Sequence, residues 1–130
     1  MAHTIVIVGG GFAGVRAALD LRKKKRCKKI PTDTRIVLIS DKNYLEYYPA
    51  MYRVATGSSP LVATVPLRDI FTTDEVELIH DRIVSLDLAA RTATGAEGSV
   101  YRADSLVLAL GSQNNYFNIP GLDQVSFNFR

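Results

Sequence analysis

The sequence is poor in the residues that staple, ligate or span. One cysteine, Cys27, rules out an internal disulfide framework and agrees with a reducing compartment. The only histidines, His3 and His80, lie far apart, with no carboxylate spacing that suggests a metal site. No Ser/His/Asp constellation is evident either. No uncharged apolar stretch is long enough for a transmembrane helix, and Met1 leads straight into an apolar strand without a basic and apolar leader. An intracellular, cytoplasmic product is therefore expected.

What is present suits one domain able to bury a core: 130 residues, 47% of them hydrophobic, with no internal repeat. The formal charge is +3, and much of the excess comes from one run, Arg22 to Arg26 with Lys28 and Lys29. Such a run complements the negative end of a helix dipole. Its sharper reading is peripheral contact with an anionic membrane, such as the inner face of the cell membrane, where each cation contributes about 1 kcal/mol. Nucleic acid is not expected as a partner, because no stacking aromatics are interleaved with the run.

The informative stretch is TIVIVGGGFAGVRAALDL, Thr4 to Leu21. Thr4–Val8 is a β-branched run without polar interruption, as in a parallel strand covered on both faces. The spacing of Gly9, Gly11 and Gly14, with Gly10 between the first two, is G-x-G-x-x-G. The first glycine permits a tight turn, the second lets a pyrophosphate approach the backbone, and the third allows close helix packing. The amides of Phe12 and Ala13 would point at an anion from a helix N-terminus. Phe12, Val15, Ala18 and Leu19 are expected to share one helix face. A structural glycine turn is the plain alternative, but the strand before and the helix after favour a dinucleotide site.

Further along, Arg35–Ile39 reads as a second strand ending in Ser40, Asp41 and Lys42, where an acid usually meets the adenosine ribose. Asp41 is the nearest candidate, with Ser40 in the usual acid's place; a turn or cap is the alternative for Asp41. Tyr44–Tyr52 holds four of the six tyrosines, either lining a flat ring system or stapling a loop. Pro49 and Gly57 bracket a short helix, 50–56, and Pro66 opens another through Phe71. Residues 76–79 and 82–86 are apolar strand pieces, while 92–94 and 99–102 flank a Gly95–Gly98 hairpin turn. Residues 105–110 form a buried-type strand running into Gly111, expected beside the first strand. The expected fold class is α/β: a Rossmann-like dinucleotide-binding domain with a parallel central sheet and an inserted small antiparallel hairpin or meander.

Three stretches together, IVIVGGGFAGVRAAL, LISDKNY with YPAMYRVATG, and LVLALGSQNNYFNIPGL, resemble the FAD-binding part of pyridine-nucleotide-dependent flavoproteins, above all type II NADH dehydrogenases. The resemblance implies that Gly9, Gly10, Gly11, Phe12, Ala13 and Gly14 hold the FAD pyrophosphate. It also implies Ser40, Asp41 and Lys42 around the ribose, Ile83 at the adenine, Ala109, Leu110 and Gly111 beside the cofactor, and Pro49 near the isoalloxazine. The flavin would be the chemical agent, with NADH as donor and a quinone as acceptor. The paired cysteines of the family's disulfide-reductase branch are missing, which excludes dithiol chemistry of that kind. Sulfide:quinone oxidoreductase and a non-catalytic dinucleotide-binding module are the alternatives. Relative to the family, residues 1–130 look like an incomplete FAD domain, inactive alone, with a second copy or a complementing C-terminal half as partner.

Overall fold

The computed structural model describes residues 3–127; the two chain ends that bound the expected 1–130 domain lie outside the described residues. The β-branched run forms β1 (Thr4–Val8), which passes through the glycine turn into α1 (Phe12–Arg26) and returns as β2 (Arg35–Ser40). This β-α-β unit builds the centre of the sheet, with β1 and β2 paired in parallel from Thr4↔Arg35 to Val8↔Ile39. Next come a short β3 (Tyr44–Glu46), a 3-10 turn over Tyr48–Ala50 and α2 (Met51–Ala55). Gly57, at φ +99°, turns the chain out of that helix, and Ser59 caps a second 3-10 turn, Pro60–Ala63. After β4 (Thr64–Pro66), which pairs antiparallel with β3, and α3 (Leu67–Ile70), the chain rejoins the main sheet as β5 (Glu77–His80).

A meander of β6 (Ile83–Asp87), β7 (Thr92–Gly95) and β8 (Val100–Arg102) follows, and β9 (Ser105–Leu108) then pairs with the free side of β1. A short α4 (Leu122–Val125) follows. The main sheet is parallel throughout, in the order β5-β2-β1-β9, and the meander is antiparallel in the order β6-β7-β8. The expected strand 105–110 stops at Leu108; Ala109 still donates to the Val8 carbonyl at 2.8 Å before Gly111, at φ +75°, turns the chain away.

Alternation along the central strands divides the core in two. Ile5, Ile7, Ile36 and Leu38 face α1 and α3, packing with Val15, Ala18, Leu67, Phe71 and Val76. Val6, Val8, Val37 and Ile39 face the meander, where Ala93 is fully buried among Ile83, Leu86, Tyr101 and Leu106. Three layers result: helices, parallel sheet, antiparallel sheet. Each fully buried Ile or Leu of the middle layer contributes about 1.5–3 kcal/mol. The helix face read from the sequence needs one correction. Val15 and Ala18 are buried and Leu19 packs beside them, but Phe12 stands 46% exposed. At the first helical position its side chain leans toward the N-terminus, past the edge of the sheet.

The basic run closes α1 and ties it down. Cys27 caps the helix, Lys28 adopts φ 54°, and the N–H groups of Lys28 and Lys29 reach the carbonyls of Lys25 and Lys24 at 3.0 and 2.8 Å. That is a Schellman arrangement with lysine where glycine is usual. Lys25 Nζ donates to the Thr34 carbonyl at 2.7 Å, and the Arg22 guanidinium lies 5.7 Å from the Phe71 ring centre. Arg26 Nε is 2.9 Å from both Glu75 carboxylate oxygens, with Nη2 also donating. Lys23, Lys24, Lys28 and Lys29 stay exposed. Among the described residues no helix is long and apolar enough to cross a membrane.

The Arg26 hydrogen bonds, helped by the Thr73 hydroxyl, lower the Glu75 pKa from 4.5 to about 2. A depressed folded-state value means stability that is present above pH 4.5 and is lost as pH falls toward 2. Thermal melts of wild type and Glu75→Gln are therefore expected to differ at neutral pH and converge over that acid window; parallel curves across it would count against the pair.

Candidate functional site

The site is built at the carboxyl edge of the parallel sheet, where β1, β2 and β9 all end. Gly9 takes φ +114°, and a Cβ there would lie 2.1 Å from the Ala109 carbonyl oxygen. A Cβ on Gly14 would lie 1.7 Å from the Gly9 carbonyl oxygen. Gly10 fits against Ser40, whose Oγ would be 2.5 Å from an added Cβ. These three glycines are therefore demanded by the protein's own packing. Gly11 is different: its φ of −78° suits any residue, and a Cβ there would meet nothing within 4 Å. The space it leaves opens into a cavity of about 460 Å³.

Helix α1 begins at that opening with Gly11 as its cap, no side-chain capping bond and no acidic residue in the first turn. Its leading N–H groups have no intrahelical partner, and the positive end of a 15-residue helix faces the cavity. The one lysine on the wall is already matched, since Lys42 Nζ donates to Glu46 at 2.6 Å. That hydrogen bond raises the Lys42 pKa. An anion here would be held chiefly by main-chain amides.

The cavity brings together Gly9, Gly10, Gly11, Phe12, Ala13, Ser40, Asp41, Lys42, Ala109, Leu110 and Gly111 from the residues singled out in the sequence. Gly14 lies behind the turn, buried against Gly9. Pro49 is exposed one residue past the lining, and Ile83 is half-buried in the core between sheet and meander. Ser40 is only 6% exposed and its hydroxyl accepts from the Lys42 N–H at 3.2 Å, whereas Asp41 is exposed on the wall.

Tyr44, Glu46, Tyr48 and Ser112 also line the cavity, beyond the candidates singled out one by one in the sequence. The tyrosine-rich piece was the available signal for two of them; Glu46 shows only as the i+4 partner of Lys42. Phe12 packs with Tyr47 and Tyr48 at ring-centre distances of 6.1 and 6.2 Å, so the tyrosine loop closes one rim. No cluster able to hold a metal ion occurs among the described residues.

A parallel sheet carrying a glycine turn at a helix N-terminus, covered on its other face by an antiparallel meander, is the arrangement of α/β dinucleotide-binding folds. Residues 3–130 match the pyridine nucleotide-disulphide oxidoreductase family, and the chain belongs to it. It is 33% identical over 112 residues to the sulfide-quinone reductase of Aquifex aeolicus, covering 85% of this chain and 25% of that protein. It is 32% identical over 120 residues to the type II NADH:quinone oxidoreductase NdhA of Mycobacterium tuberculosis, covering 88% and 24%. The structure of NDH2 from Plasmodium falciparum in complex with NADH superposes on 95% of this chain and 25% of that one, with a TM-score of 0.75 and 22% identity. The chain thus spans about a quarter of the length of these relatives.

The two kinds of glycine separate in a stability test. Gly14→Ala is expected to cost at least about 2 kcal/mol, because the clash is with backbone that cannot yield. Gly11→Ala is expected to cost less, about 0.5–1 kcal/mol, from the poorer helix cap alone. Chemical denaturation measures both, and equal losses would show that Gly11 also serves packing.

Proposed function

We propose that this chain is the FAD-binding portion of an oxidoreductase that passes electrons from NADH through FAD to a quinone. The observation that carries the reading is Gly11, a glycine needed neither by its backbone angles nor by any neighbour in the chain, standing at an uncapped helix N-terminus. The diphosphate would lie against the amides of Gly11, Phe12 and Ala13, where a side chain at position 11 would intrude. Asp41, exposed on the wall, would accept from the adenosine ribose; the Ser40 hydroxyl beside it already accepts from the Lys42 N–H. Tyr44 and Tyr48 with the main chain of residues 109–111 would enclose the flat part of the cofactor.

When bound, the flavin would supply two-electron redox chemistry between donor and acceptor. The protein's part is placement: main-chain dipoles for the diphosphate, a carboxylate for the ribose, and an aromatic rim that limits water. A second reading, with sulfide as electron donor, is supported by the 33% identity to sulfide-quinone reductase. A third, a module that holds the dinucleotide without chemistry, keeps the same site. The NADH-binding and quinone-facing parts are assigned to sequence beyond these residues, supplied in one chain or as a complementing half. Contact with a membrane surface is assigned to the exposed lysines at the far end of α1.

FAD added to the purified chain is expected to show a perturbed visible band. Gly11→Val should weaken that binding at least about tenfold, equivalent to about 1.4 kcal/mol, with the variant still folded by far-UV circular dichroism. An unperturbed spectrum, or equal binding by the variant, would defeat the reading. The 130-residue chain alone is expected to give no NADH:quinone turnover in a steady-state assay, and measurable turnover would overturn its assignment as a part.

A further inference from the structure

Beyond the glycine cavity, a second opening of about 570 Å³ lies on the β5 side of β2. Its wall includes Asp41, which also lines the first cavity, together with His80, Asp81, Arg82, Ser99 and Tyr101. Asp81, at the junction of β5 and β6, ties this wall together. Its N–H donates to the Ser40 carbonyl at 3.0 Å, so it holds the end of β2. Its carboxylate accepts from the Tyr101 hydroxyl at 2.6 Å, which fixes β8 to the same point. The N–H groups of Arg82 and Ala96 also face that carboxylate. Gly95 makes room for it, because a Cβ there would lie 1.8 Å from Asp81 Oδ2.

An O–H···O⁻ bond of this length is charge-assisted and about twice as strong as a neutral one. The Tyr101 hydrogen bond in turn lowers the Asp81 pKa, while the Asp81 carboxylate raises that of the Tyr101 phenol, so neutral pH favours the charge-assisted form. The ring of Tyr101 packs separately, against the core between sheet and meander. Removing the hydroxyl therefore tests the bond without removing the packing.

A diphosphate over the turn after β1 leaves the rest of a dinucleotide two directions to run. The ribose-binding end of β2 lies toward the second opening. We infer that Asp81 and Tyr101 are a positioning pair for the adenosine half of the cofactor, acting through Ser40, Asp41 and Arg82 on the wall that this half meets. The inference rests on the dinucleotide reading given above. It assigns the pair no contact with the reacting ring.

The test compares two probes, ADP and inorganic pyrophosphate, by calorimetry on the full chain and on Tyr101→Phe, Asp81→Ala and Asp81→Asn. Both probes draw on the same folded population, so the ratio of their affinities is unaffected by a loss of folded protein. In Tyr101→Phe and Asp81→Ala the preference for ADP over pyrophosphate should fall about tenfold, with pyrophosphate affinity unchanged. Asp81→Asn, which keeps an accepting oxygen, should stay within about threefold of wild type. Equal losses for both probes, or an undiminished ADP preference in the two disruptive variants, would overturn the positioning role. A wild-type chain with no preference for ADP would overturn the dinucleotide reading and the role with it.

Discussion

The carbonyl oxygen of Gly9 occupies the place where a side chain on residue 14 would have to be, 1.7 Å from its Cβ position. Because that side chain is missing, α1 starts with only three residues between it and β1 and lies tightly along the sheet. The Ala109 carbonyl presses on Gly9 from the other flank, so the ends of β1, α1 and β9 meet at one point. The cavity is the space left above that meeting point. At Gly9 and Gly14 no side chain would fit beneath it, while at Gly11 the space above the main chain is open.

The two ends of α1 are finished in opposite ways. At its C-terminus the chain supplies a Schellman closure, four basic residues in the last turn and the Arg26–Glu75 pair. Its N-terminus receives no capping side chain and no acid. A glycine in place of a capping Ser, Thr, Asn or Asp costs about a few tenths of a kcal/mol. The fold leaves this one bare where it faces solvent space and satisfies the other. An anion delivered to that end by a ligand would supply what the protein withholds.

The parts of this design governed by local pattern could be read in the residues themselves. Thr4–Val8 is a β-branched run and Arg35–Ile39 a largely apolar one, and their burial on both faces follows from a parallel sheet covered by two layers. The glycines announced the turn, and the Gly95–Gly98 segment announced the hairpin on which β7 and β8 are built. What depended on long-range packing was not visible. Phe12 fits a helical face by spacing, yet it sits beyond the sheet edge and meets Tyr47 and Tyr48. The pairing of β3 with β4 joins segments about twenty residues apart with no alternating pattern to mark them. Glu46 and Ser112 reach the cavity by loop geometry alone. Asp81 and Tyr101, likewise, are an ordinary pair until the sheet order sets them beside the end of β2.

Backbone amide chemical shifts during a titration with ADP bear most directly on the central claim, that main-chain N–H groups at the start of α1 receive a diphosphate. The largest saturating changes should fall on the amides of Gly10, Gly11, Phe12 and Ala13, with smaller ones at Asp41 and Gly111. Changes centred on Lys23 to Lys29, the signature of an anion gathered by surface charge, would contradict the claim, as would a spectrum that ADP leaves unmoved.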